Sequence, residues 1–218
     1  MKPENINLKH SPTSLAPIVL AYERRFRRYG CTPRGVFWKN TEWQRQRYDI
    51  MVRVFDRTAL AGGVKIHDFG CGYGAFFDYL APHPAMRASH YIGTDMCGTM
   101  LDAAHNRISD PRASFTLGFS AKVHADYTFV SGTFNMKRDA DNAFWDKYIR
   151  TSLLRLWQHT RRGFAFNLLS VSTEVKHNGL HYAESEDYVQ FARTHMDPEA
   201  KLIIEPPLPD FTILAKRR

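Results

Sequence analysis

Seven consecutive residues, Asp68-Phe69-Gly70-Cys71-Gly72-Tyr73-Gly74, carry the strongest chemical signal in the chain. They close the apolar run that starts at Val64, which reads as a buried strand. Glycines after a strand let the backbone turn sharply and approach a ligand closely, because no Cβ stands in the way. Gly70-Cys71-Gly72-Tyr73-Gly74-Ala75 fits both the dinucleotide pattern G-x-G-x-x-G/A and the pattern G-x-G-x-G. Asp68 separates the two, since a carboxylate there receives the ammonium of an amino-acid-bearing cofactor and repels a pyrophosphate. Asp95 ends a second strand pattern and can accept hydrogen bonds from both hydroxyls of a ribose, which suits either cofactor.

The elements that must position these residues alternate in type. Residues 1–13 read as a loose polar tail, and Ser14–Tyr29 as a helix with Ser14 as N-cap and Gly30 as stop. A second helix is predicted over 41–55. From Gly62-Gly63 onward the pattern changes to strands over 64–69, 90–95, 113–117, 126–131 and 163–169. Helices are predicted over 75–80, 98–107, 142–160 and 184–195. Residues 201–205 and 211–215 are strands joined only by Pro206-Pro207-Leu208-Pro209-Asp210, too short for a parallel crossover. The expected fold is α/β: a Rossmann-like doubly wound sheet of about seven strands, mostly parallel, with a C-terminal antiparallel hairpin and N-terminal helices. Residues 1–60 form a tail and helical cover, and 61–218 the core. With one half-sheet after the turn and no second nucleotide-binding half, the cofactor is expected to be a methyl donor.

Composition narrows the class further. The 218 residues suffice for one substantial domain, and hydrophobic residues make up 44% of them. The longest early apolar stretch, 15–21, is too short for a membrane span, and its basic cluster follows it, the wrong order for a secretory signal. Cys31, Cys71 and Cys97 are odd in number and widely spaced, which fits a reducing compartment. A cytoplasmic protein without membrane partners is expected. His177 and His181 flank Asn178-Gly179, a loop rather than a ligand-bearing helix, so no metal is expected. The net charge of +8 includes Arg24, Arg25, Arg27 and Arg28 near the start and Lys216-Arg217-Arg218 at the end. It permits a nucleic-acid partner without requiring one.

Asp68-x-Gly70-x-Gly72-x-Gly74, with Gly93-Thr94-Asp95-Met96 after it, resembles motifs one and two of the class I S-adenosylmethionine-dependent methyltransferases. The likeness covers about residues 60–218. Segments 125–135 and 163–170, with Val36-Phe37-Trp38-Lys39 before the core, resemble a bacterial small-molecule subgroup of that family. The resemblance implies that Asp68, Gly70, Cys71 and Gly72 line the methionine end of S-adenosylmethionine. It further implies that Asp95 holds the ribose, Met96 lies against adenine and Ser131 sits beside the sulfur. Where many relatives carry an acid after strand three, this chain reads Gly118-Phe119-Ser120; Phe119 can stack on the base and Ser120 can accept its amino hydrogen bond.

The ends of the parallel strands place Asn135, Ser170, His181 and Tyr182 near the reaction, with His181 or Tyr182 as the substrate-facing pair. In the helical cover Trp38 is placed either to reach the pocket or to anchor the helices, and Arg47 to meet the cofactor carboxylate. The expected activity is methyl transfer to an oxygen or nitrogen of a small molecule. An RNA methyltransferase using the basic N-terminal region, or a non-catalytic S-adenosylmethionine-binding module, are the alternatives. The stretch Ser131-Gly132-Thr133-Phe134 replaces the Asn/Asp-Pro-Pro-aromatic sequence common in base amino methylation, which counts against that chemistry.

Overall fold

The computed structural model describes residues 11–118 and 123–217. Its centre is a seven-stranded sheet in the order β3-β2-β1-β4-β5-β7-β6. The strands are β1 Lys65–Phe69, β2 His90–Asp95, β3 Ala113–Leu117, β4 Ala125–Val130, β5 Thr160–Leu169, β6 Lys201–Ile204 and β7 Asp210–Lys216. The first five run parallel, and β7 lies antiparallel to both β5 and β6. The helices are α1 Ser11–Tyr29, α2 Thr41–Met51, α3 Arg57–Ala61, α4 Ala75–Leu80, α5 Gly98–Arg107, α6 Asn142–Gln158 and α7 Ser185–His195. The expected architecture, the terminal hairpin included, is the one observed.

Strand alternation divides the core between the two faces of the sheet. Phe164, Phe166 and Leu168 of β5 pack with Trp145, Ile149 and Leu153 of α6. Ala165 faces the other way, with Tyr48 and Met51 of α2 and Phe76 and Leu80 of α4. Helices therefore cover both faces, as a parallel sheet requires.

Most boundaries shift by one or two residues from the sequence reading, and three places differ by more. The first helix already includes Ser11, so Ser14 lies inside it rather than capping it. Helix α2 ends at Met51, a tight turn takes Val52–Val54, and α3 follows behind Asp56, whose carboxylate accepts the Ala59 amide at 3.0 Å. Five residues are too few to show a helical period. Strand β5 starts at Thr160, where Arg161 and Arg162 are exposed and the pairing with β4 shifts register. The extra turn of strand shows no apolar alternation for that reason.

Gly163 shows how tightly the sheet and the N-terminal segment meet. A Cβ there would lie 2.8 Å from the Tyr127 ring and 2.9 Å from a Val54 methyl. Gly163→Ala is expected to cost about 1–3 kcal/mol of stability through overpacking, read as a lower urea midpoint at unchanged slope.

Candidate functional site

The strand order reverses between β1 and β4, and ligands of open parallel sheets bind where such a reversal parts the strand ends. Asp68 and the glycine turn leave β1 on one side of that opening, and Ser131-Gly132 leave β4 on the other. Gly70, Gly72 and Gly74 have φ of 83°, 54° and 83°, the left-handed region that favours glycine. The turn is tied to β2 by the Gly70 and Cys71 amides, which both donate to the Thr94 carbonyl at 2.7 and 3.1 Å. At Gly70 a Cβ would collide with Thr133, whose hydroxyl donates to the Phe69 carbonyl at 2.8 Å.

An inner chamber lies on this turn. Of the residues singled out in the sequence, it is lined by Asp68, Gly70, Cys71 and Gly72. Asp95, Met96, Ser131 and Trp38 line it as well. Asp95 is buried; its two oxygens accept the Gly72 and Cys97 amides, each at 2.8 Å. A carboxylate has about four lone-pair sites, so acceptor capacity remains on both oxygens. Asp68 is 2% exposed and accepts one hydrogen bond, from the Tyr91 hydroxyl at 2.6 Å. Burial pushes the Asp68 carboxyl up to about 7; the Tyr91 hydroxyl opposes that shift and the charge of Asp95 adds to it. Burial also raises Asp95, against the pull of its backbone donors. Among the described residues neither carboxylate has an ion-pair partner. The Ser131 hydroxyl is buried in the same chamber with no hydrogen-bond partner.

Several lining residues carried no signal in a glycine motif. Leu15, Ile18 and Tyr22 of α1 and Gln44 and Tyr48 of α2 close the chamber from above. Their helical spacing was visible, but spacing alone does not distinguish a core face from a chamber wall.

An outer chamber of about 1110 Å³ adjoins the inner one, and Tyr22, Val36, Trp38 and Gly132 border both. Asn135, Ser170 and Tyr182 line it, and the Tyr182 hydroxyl accepts the His177 amide at 2.7 Å. His181 lines neither chamber. It is buried, its Nε2 has no partner, and burial holds it below the usual imidazole range, with Asp146 of α6 opposing. The expectation that His181 faces substrate is thus corrected, while Tyr182 does face the chamber.

Arg47 is also corrected. Its Nε and Nη2 donate to the two carboxylate oxygens of Asp210 at 2.8 and 2.5 Å, and both side chains are almost fully buried. Its third hydrogen bond goes to the Trp43 carbonyl at 2.9 Å. The guanidinium is therefore committed and lines the outer rather than the inner chamber. Asp210 also accepts Asn167 Nδ2 at 2.6 Å, and Asn167 Oδ1 accepts the Gly132 amide at 2.7 Å. Trp38 stacks on Arg47 at 4.1 Å and lies so close over Gly132 that a Cβ there would strike its ring. Phe119 and Ser120 lie outside the described residues; Gly118 lines the inner chamber.

No established family profile matches the chain. It is 31% identical over 157 residues to Rv1506c of Mycobacterium tuberculosis, a protein named for methyltransferase activity, covering 70% of this chain and 93% of that one. The fold matches the magnesium protoporphyrin IX methyltransferase of Synechocystis PCC 6803, solved with bound SAH, at a TM-score of 0.67 and 14% identity. That match covers 93% of this chain and 99% of the other. The amino pentose methyltransferase CalS10 of Micromonospora echinaspora superposes at a TM-score of 0.58 and 15% identity, over 91% and 97% of the two chains. The chain belongs to the class I S-adenosylmethionine-dependent methyltransferases. Among the described residues no helix is long and apolar enough to cross a membrane.

Substitutions at two sites, the Arg47–Asp210 pair and Asp68, test this geometry. Asp210→Ala strands a buried guanidinium and should cost about 3–5 kcal/mol in urea unfolding, whereas Arg47→Met with Asp210→Leu should recover most of that. For Asp68, the unfolded carboxyl ionises near 3.8 and the folded one near 7. Ionisation therefore favours unfolding as pH rises between those values, and its cost is complete above the higher one. Asp68→Asn should raise the stability of the ligand-free protein by on the order of 4 kcal/mol at about pH 8 and leave it unchanged below about pH 3. A gain of equal size at both pH values would contradict the assignment.

Proposed function

We propose that the inner chamber holds S-adenosylmethionine and that the protein passes its methyl group to a small-molecule acceptor entering from the outer chamber. The observation that carries this reading is the pair of buried carboxylates with no countercharge among the described residues, beside a glycine turn and a buried hydroxyl with no partner among them. In it, Asp68 receives the cofactor ammonium, which supplies the positive charge that the carboxylate lacks in the protein alone. Gly70, Cys71 and Gly72 allow the main chain to approach the amino-acid tail. Asp95 uses its remaining acceptor capacity on the ribose hydroxyls, Met96 packs against the base, and Ser131 directs its hydroxyl at the reacting end.

When bound, S-adenosylmethionine supplies a methyl group on a positively charged sulfur that a lone pair of the acceptor displaces. The protein's own part is positioning and exclusion of water. Tyr22, Val36 and Trp38 of the cover stand with Gly132 at the border between the two chambers. Asn135, Ser170 and Tyr182 present hydrogen-bonding groups to the acceptor.

Calorimetry tests the reading. S-adenosylmethionine or S-adenosylhomocysteine should bind with one-to-one stoichiometry, and Asp95→Ala should weaken binding by more than about tenfold. Absence of binding to the wild-type chain would sink the assignment; an unchanged affinity in the variant would remove Asp95 from the ribose contact.

A further inference from the structure

The outer chamber has two unlike walls. One is apolar and rich in proline, with Leu169, Val175, Pro206, Pro207 and Leu208. The other runs from the end of α1 to the start of α2 and carries Arg25, Arg34 and Lys39 among the rings of Tyr29, Phe37 and Trp43. Arg25 lies 4.5 Å over Phe37 and 4.8 Å over Tyr29, and its Nε donates to the Arg34 carbonyl at 2.7 Å. The Lys39 ammonium lies 4.0 Å over Trp43. Such stacking holds long cationic side chains along a wall instead of letting them sweep through solvent.

Among the described residues none of Arg25, Arg34 and Lys39 forms an ion pair with a carboxylate. Of the two acids that line the chamber among the described residues, Asp210 is committed to Arg47 and Glu174 is exposed. Positive charges gathered on one wall raise the potential of the cavity they face and draw anions into it. Phe37, with Arg25 over its ring, is still 41% exposed at the same wall.

We propose that this chamber selects a planar organic anion, an aromatic acid, as the methyl acceptor. This rests on the reading of the inner chamber as the cofactor site. Its oxyanion meets Arg34 and Lys39, its ring lies along Phe37 and Trp38, and its nucleophile points at the border of the two chambers formed by Trp38 and Gly132. RNA offers anions and rings too, but the exposed row that would meet a polymer is Arg24, Arg27 and Arg28, which does not line the chamber.

Calorimetric titration of the full chain with 2-naphthoate and with the neutral 2-naphthamide tests the proposal. Naphthoate should bind at least about tenfold more tightly. The variant Arg34→Ala with Lys39→Ala should abolish that preference and leave S-adenosylmethionine affinity unchanged, which also reports that it is folded. Equal affinity for the two probes, a preference that survives the double variant, or no binding of naphthoate by protein that binds S-adenosylmethionine overturns the proposal. So does a short RNA that binds more tightly than naphthoate with affinity falling steeply as salt rises. Failure of S-adenosylmethionine itself to bind overturns the cofactor reading instead.

Discussion

Two carboxylates, Asp68 and Asp95, stand buried at the ends of adjacent parallel strands with no cation beside them among the described residues, and much of the molecule is arranged around that fact. Desolvating a carboxylate without a partner is costly, and the fold meets the cost in different ways at the two positions. Asp95 is held by two backbone amides, one of them from the glycine turn, so its burial also fixes the turn. Asp68 has only the Tyr91 hydroxyl, and the result is a carboxyl that gives up its charge near neutrality. A protein built only for stability would replace Asp68. Its retention makes sense where a cationic ligand completes it.

The cover over these carboxylates is fixed by a chain of contacts at the opposite side of the opening. Arg47 of α2 reaches Asp210 at the start of β7, Asp210 holds Asn167 of β5, and Asn167 holds the Gly132 amide at the end of β4. Trp38 rests on both ends of that chain, stacked on Arg47 and pressed over Gly132. A buried ion pair adds little net stability when weighed against apolar residues of the same size. What it does here is geometric: it sets the height of Trp38 over the strand ends, and so the border between the chambers.

The sequence made the lining of the inner chamber legible and left that of the outer chamber obscure, for physical reasons. Asp68, Asp95, Met96 and Ser131 all sit at the ends of parallel strands, and an α/β sheet brings those ends together whatever the loops do. Arg47 departs from its expected place because its partner lies 163 residues away, and no local pattern announces that pairing. His181 and Tyr182 are neighbours in a segment bridged at both ends to other strands and loops, and adjacent residues of extended chain face opposite ways. Only one of them could face the chamber, and it is Tyr182. The basic wall was divided in the sequence between a helix end and a linker, and only the turn at Gly30–Trp38 folds Arg25 against Arg34 and Phe37.

The division into two chambers bears on how such a protein changes specificity. The inner chamber is constrained by the turn itself: glycines with positive φ, a collision at Gly70 for any Cβ, and carboxylates whose burial the strands dictate. The outer wall is freer at Arg34 and Lys39, which are exposed on a segment without strand pairing, although Phe37 between them holds a φ of 64°. Substitutions there would change the charge and shape of what is admitted at little cost to the fold, because exposed side chains carry little of its stability. Trp38 is the exception on that wall. It contacts the Arg47 pair below and the Gly132 turn beside it, so replacing it would disturb both chambers at once. The outer wall can therefore vary at Arg34 and Lys39 while the inner chamber stays fixed, with Trp38 as the boundary between what can vary and what cannot.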